Sequence, residues 1–258
     1  MPQAQVVKGL VRQYASEVAN AYATNRIALD PRQKQLAQHM WLDALLGFYS
    51  WKDSLERECG GPYKVLLICG STSQSGPYSA ELFKANITAY VNCHGGKVII
   101  ATGGKKTAGT AGTAGTAGTA GKKRKRGKKG GGKPGANELA YNIARELVRD
   151  GYLDVKFCVF TPEFNVETGT LTGVLQDMVV DPRIAQGADK VFTTNTEGGG
   201  LVSDIAKTAA LASLGADLGI FEGGFETAKE YESASKRRAV GGTCNISFLV
   251  NSRFLLSI

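Results

Sequence analysis

Long apolar runs are missing from this 258-residue sequence. No segment approaches the roughly 18 consecutive apolar residues of a membrane-crossing helix, so no membrane partner is expected. The start, Met1-Pro2-Gln3-Ala4-Gln5, lacks the basic and apolar regions of a signal peptide. Histidine is scarce: His39 and His94 are the only two, and neither shows a spacing that would serve a nucleophilic cysteine. The five cysteines are scattered and lack metal-ligand spacing. The expectation is therefore no metal site and a reducing, intracellular and cytoplasmic setting. Cys69 and Cys158 fall inside apolar runs and read as small core residues.

Acidic residues are absent from one long segment. Residues 105–133 carry ten of the 31 Lys and Arg and no Asp or Glu, so the net charge of +8 becomes −2 once that segment is set aside. The rest of the chain is slightly acidic, and a general basic face for nucleic acid is not indicated. Within the segment, Thr-Ala-Gly repeats occupy 107–121, followed by Lys122-Lys123-Arg124-Lys125-Arg126-Gly127-Lys128-Lys129 and Gly130-Gly131-Gly132. Such a composition cannot bury apolar surface and reads as a mobile low-complexity insert. Its basic run, 122–129, fits either an acidic partner or a nuclear localisation signal. A solvated insert without function is the plainer reading.

What is present has a helix-and-strand rhythm. Residues 1–60 are read as an N-terminal helical extension. Val7, Leu10, Val11, Tyr14, Val18, Ala21 and Tyr22 recur at helical spacing. Asp30-Pro31 marks a new helix start, with Asp30 as N-cap and Pro31 in the first helical position. The favoured role of these helices is a layer packed on the main domain, with a dimer surface as the alternative. Residues 61–258 form the second unit, interrupted by the insert at 105–133. Val65 to Cys69, Lys97 to Ala101, Val155 to Phe160, Lys190 to Thr194, Ala216 to Phe221 and Cys244 to Val250 read as strands. Helices are expected at about 79–93, 136–149, 202–214 and 226–239. Strands alternating with helices imply an α/β fold, a doubly wound, mainly parallel Rossmann-like sheet. Glycines close the first two strands, at Gly70 and at Gly103-Gly104, on the sheet edge where such folds bind ligands. There is no Gly-x-Gly-x-x-Gly after the first strand and no clear acidic residue ending the second, which argues against a dinucleotide-dependent dehydrogenase. No cofactor is expected.

The most informative stretch is Glu222-Gly223-Gly224-Phe225-Glu226-Thr227-Ala228-Lys229-Glu230. It joins a strand to a helix through paired glycines, the arrangement of a phosphate- or ribose-binding turn. Thr227-x-x-Glu230 is equally a capping box, which needs no ligand. Both readings stand on spacing.

The ordered set of motifs resembles a known superfamily. Ile68-Cys69-Gly70-Ser71, Tyr78, Gly103-Gly104, Gly135, Thr161-Pro162, Ala216-Asp217 and Gly223-Gly224-x-x-Thr227-x-x-Glu230 follow one another as in the LOG-like (SLOG, Rossmann-related) superfamily. That superfamily holds the cytokinin riboside 5′-monophosphate phosphoribohydrolases and the molybdenum-cofactor carrier proteins, and its signature is Pro-Gly-Gly-x-Gly-Thr-x-x-Glu. The likeness spans roughly residues 64–250, without the insert. It implies that Gly70, Ser71, Gly103, Gly104 and Gly135 line a glycine-rich crevice. It implies that Gly223, Gly224 and Thr227 hold a 5′-phosphate, and that Glu230 is the catalytic carboxylate. A homodimer is implied as well. Three departures stand out: Glu222 replaces the signature proline, Glu226 replaces its third glycine, and the family's arginine has no match. Counting back from Asp217 puts Thr208 at the arginine's place, with Lys207 beside it as the candidate catalytic cation.

Three functions follow as expectations. The first is a nucleotide-binding enzyme, a phosphoribohydrolase (N-glycosidase), cleaving a nucleoside 5′-monophosphate to base and ribose 5-phosphate. The second is a non-catalytic carrier or sensor of a nucleotide, an ADP-ribose-like ligand or a pterin cofactor. A carboxylate at Glu226, where a phosphate would rest, favours this second reading. The third is a structural or interaction protein that uses the N-terminal helices and the basic run.

Overall fold

A computed structural model of the protein describes residues 31–70, 80–107, 134–162, 167, 178–194, 207–208, 211–212, 215–221, 227–228, 230–232, 234–235 and 246–248. Six parallel strands form the main sheet: β1 (Lys64–Gly70), β2 (Val98–Thr102), β4 (Lys156–Pro162), β6 (Lys190–Thr194), β7 (Asp217–Phe221) and β8 (Ile246–Phe248). Their order across the sheet is β6-β4-β2-β1-β7-β8. Two short strands, β3 (Lys105–Thr107) and β5 (Met178–Val180), pair antiparallel beside it. The fold is thus α/β, a doubly wound and mainly parallel Rossmann-like sheet, with a long helix ahead of its first strand.

The central strands are apolar throughout because both of their faces are covered. Val65, Leu67 and Cys69 of β1 point to one core, and Leu66 and Ile68 point to the other. On the first face lies the N-terminal helix α1 (Pro31–Glu58), which places Ala44, Leu45 and Phe48 against Phe160 and Phe192. The same core takes in Leu211, Ala212 and Ala234, all in helical segments. On the opposite face pack α2 (Ala80–Cys93) and α3 (Ala136–Arg149). In α3 the buried residues Ala136, Leu139, Ala140, Ile143, Ala144 and Leu147 recur every three or four positions, so one stripe faces the sheet. Phe83 and Phe221 join α2 to β7, with ring centroids 4.4 Å apart.

Proline at the first helical position marks α1, as the Asp30-Pro31 pair predicts. The same signal recurs unread at Asp181-Pro182. Asp181 accepts a hydrogen bond from the Arg183 N–H at 3.0 Å and starts the six-residue helix α4 (Pro182–Gly187). One correction concerns this region. Residues 105–107 are strand β3, so the irregular insert begins no earlier than 108. Residues 179–180 belong to strand β5. The repeats and the basic run, 108–133, lie outside the described residues, as do 1–30. No helix among the described residues is long and apolar enough to cross a membrane.

Candidate functional site

The chain leaves β1 and β7, which lie side by side, in opposite directions. From β1 it continues through α2 to β2; from β7 it passes through helical residues between 227 and 235 to β8 on the other side. The first connection runs over one face and the second over the other. Their carboxyl ends therefore flank the topological switch point, where doubly wound sheets place ligands.

Four polar side chains meet beneath that point. Glu230 Oε1 accepts a hydrogen bond from the Thr208 hydroxyl at 2.8 Å and from the Cys69 thiol at 3.1 Å. Lys207 Nζ lies 3.7 Å from the same oxygen. Cys69 Sγ is 3.6 Å from Thr208 Oγ1. All four are buried, and Glu230 is only 5 % exposed. Thr227, one turn before Glu230, is buried as well. Burial of an ion pair is tolerated when hydrogen bonds satisfy the charges, and two neutral donors here turn toward one carboxylate oxygen. Burial pushes the Cys69 thiol well above its ordinary range, with the Glu230 charge adding to the effect. The nearby Lys207 ammonium and the Thr208 hydrogen bond act the other way. The thiol is therefore a protonated donor at neutral pH rather than a nucleophile.

The glycines frame this cluster by close packing. A Cβ on Gly70 would stand 2.0 Å from the Phe221 carbonyl oxygen and 2.8 Å from the Ala136 Cβ. Gly70 thus lets β1, β7 and the start of α3 touch. Gly70→Ala is expected to cost about 3 kcal/mol, the upper part of the overpacking range, because one of the clashing atoms is backbone. A denaturant midpoint unchanged from wild type would contradict this. Gly104 has a φ of +65°, and a Cβ there would meet Val159 Cγ1 at 2.5 Å. Its carbonyl accepts from the Asp181 N–H at 3.1 Å, which ties the turn after β2 to the start of α4. Gly135 is the N-cap of α3 and uses no side-chain cap. Gly103 and Gly135 are buried.

Of the residues expected from sequence, Glu230 and Lys207 are brought together. Gly70, Gly103, Gly104, Gly135 and Thr227 are buried or half-buried residues near carboxyl ends of strands or at helix starts. Ser71, Gly223 and Gly224 lie outside the described residues. Sequence reading missed the part played by Cys69, which it took for a plain core residue. Its place directly before Gly70 at a strand end was the available signal. Thr208 was located by the count from Asp217, but its contact with Glu230 was not foreseen.

An open cleft of about 580 Å³ lies elsewhere, lined by Ser50, Asp53, Glu56, Arg57, Gly61 and Pro62. It adjoins the amino end of β1, at the opposite edge of the sheet from Glu230. Among the described residues no group of three or more His, Cys, Asp or Glu is placed to hold a metal ion. No protein-family model matches the chain, and no curated protein matches it.

Proposed function

We propose that the protein binds a nucleoside 5′-monophosphate or a related nucleotide at the switch point and cleaves its N-glycosidic bond. The observation that carries this reading is the buried Glu230 carboxylate, paired with Lys207 beside the carboxyl end of β1. In this reaction the oxygen of water bonds to ribose C1′ as the C1′–N bond breaks. The base leaves with a proton, and ribose 5-phosphate remains. A carboxylate suits such chemistry in two ways: it stabilises positive charge developing on the ribose, and it accepts a proton from the attacking water. Lys207 fits as the cation that holds Glu230 ionised. Gly223, Gly224 and Thr227 are assigned to the phosphate, and Gly70, Ser71, Gly103, Gly104 and Gly135 to the crevice around the ligand. These roles extend the LOG-like resemblance.

A second reading, a nucleotide, ADP-ribose-like or pterin carrier without turnover, is favoured by one observation. Glu230 Oε1 is already engaged by Thr208, Cys69 and Lys207, which suits a structural role for the carboxylate. Incubation with a panel of nucleoside 5′-monophosphates separates the two. The enzyme reading expects free base and ribose 5-phosphate, falling at least about 100-fold in a folded Glu230→Gln variant. Thermal stabilisation by one ligand with no product from any would favour the carrier and overturn the hydrolase.

A further inference from the structure

We propose that Cys69 and Thr208 are positioning residues for Glu230: their S–H and O–H groups hold its carboxylate in one orientation and in its ionised form. This rests on the reading of Glu230 as the reacting carboxylate, and it assigns a task to two residues outside the nucleotide-cleaving set.

The geometry is specific. Thr208 and Cys69 lie 22 and 161 residues from Glu230 in sequence, on two different elements. Both nevertheless donate to the same oxygen, at 2.8 and 3.1 Å. Cys69 ends the side-chain-bearing part of β1, since Gly70 follows it. The thiol is thus carried by a central strand, paired with β2 on one side and β7 on the other. Thr208 sits on a helical segment whose neighbours Leu211 and Ala212 are locked into the core. Two separate elements therefore converge on one carboxylate oxygen, with their donor atoms 3.6 Å apart. Lys207 supplies charge rather than direction, because its ammonium stands 3.7 Å from the oxygen, beyond hydrogen-bond distance. The high titration range of the buried Cys69 thiol keeps its proton in place, so the donor persists at neutral pH.

Hydrogen bonds to the charged form of a carboxylic acid lower its pKa, so removing them raises it. The direct test is a carbon-13 carboxyl NMR titration of the full chain, with the Glu230 signal assigned by its loss in Glu230→Gln. Thr208→Val should raise the Glu230 pKa by about one unit, the effect of one hydrogen bond to a charged group. Cys69→Ala should raise it by a smaller amount, because a thiol is a weaker donor. Thr208→Ser and Cys69→Ser retain a hydroxyl donor and should return the pKa toward wild type. A pKa that stays put in both Thr208→Val and Cys69→Ala, in folded protein, would overturn the assignment. Steady-state kinetics with nucleoside 5′-monophosphates form the second arm. There kcat is expected to fall about tenfold in Thr208→Val with KM little changed, and to recover in Thr208→Ser. Shifted pKa values with no turnover in wild type would uphold the positioning role and sink the hydrolase reading. Turnover with unshifted pKa values and an unchanged kcat in both variants would do the reverse.

Discussion

Replacing Glu230 by leucine is expected to lower the unfolding free energy by about 3–5 kcal/mol, the range for breaking a buried ion pair by removing one member. Lys207 is 3 % exposed, and its ammonium lies 3.7 Å from the Glu230 carboxylate. Removing the carboxylate takes this contact from the buried ammonium and takes the acceptor from the Thr208 and Cys69 donors. The comparison that matters is the double variant Lys207→Met with Glu230→Leu. It removes both charges together, and apolar replacements of buried pairs are often neutral or stabilising. Most of the loss should therefore return in the double variant. Denaturant unfolding of the two single variants and the double variant measures the coupling directly. A Glu230→Leu protein within about 1 kcal/mol of wild type would show that the pair is not held as described. The experiment separates stability from chemistry, because a stable double variant without turnover would place the charges in the reaction rather than in the fold.

Phe48→Ala is expected to destabilise by about 3–5 kcal/mol, the range for truncating a large buried aromatic. Phe48 has no exposed surface. Its ring lies 5.1 Å from Tyr49, 5.4 Å from Phe160 and 5.6 Å from Phe192, centroid to centroid. Phe160 and Phe192 stack on each other at 5.1 Å. Phe48 is thus one of the side chains through which α1 enters the sheet core, and a cavity there would lose contacts to β4 and β6 together. Leu153→Ala serves as the control, since Leu153 is 71 % exposed and its removal should stay within about 0.5 kcal/mol. If Phe48→Ala matched that control, α1 would not be a layer of this core.

The parts of the fold that were legible in sequence are those with a period or a length. Ala136–Arg149 shows its helical stripe in apolar residues alone, and Val65 to Cys69 is an apolar run closed by Gly70. β3 and β5 have three residues each, too few for alternation to show, and Lys105-Lys106-Thr107 looks like the start of a basic insert. Beside their pairing the Asp181 N–H bonds to the Gly104 carbonyl, a contact across 77 positions that no local pattern encodes. α4 is shorter than any helical window, although its Asp-Pro start carried a usable signal. The candidate site shows the same divide. Glu230 and Lys207 were reachable through motif order and spacing. Cys69 was not, because a thiol inside an apolar run looks like packing until the fold brings Thr208 and Glu230 to it.

The proposed function places ligand binding at the carboxyl ends of β1 and β7. Hydrogen exchange of the full chain, with and without saturating nucleoside 5′-monophosphate, tests it most directly. Added protection is expected in peptides containing Cys69-Gly70, Phe221 and Thr227 to Glu230, with little change at Ser50 to Pro62. Protection confined to the cleft around Asp53 and Arg57, or none with any nucleotide, would contradict it.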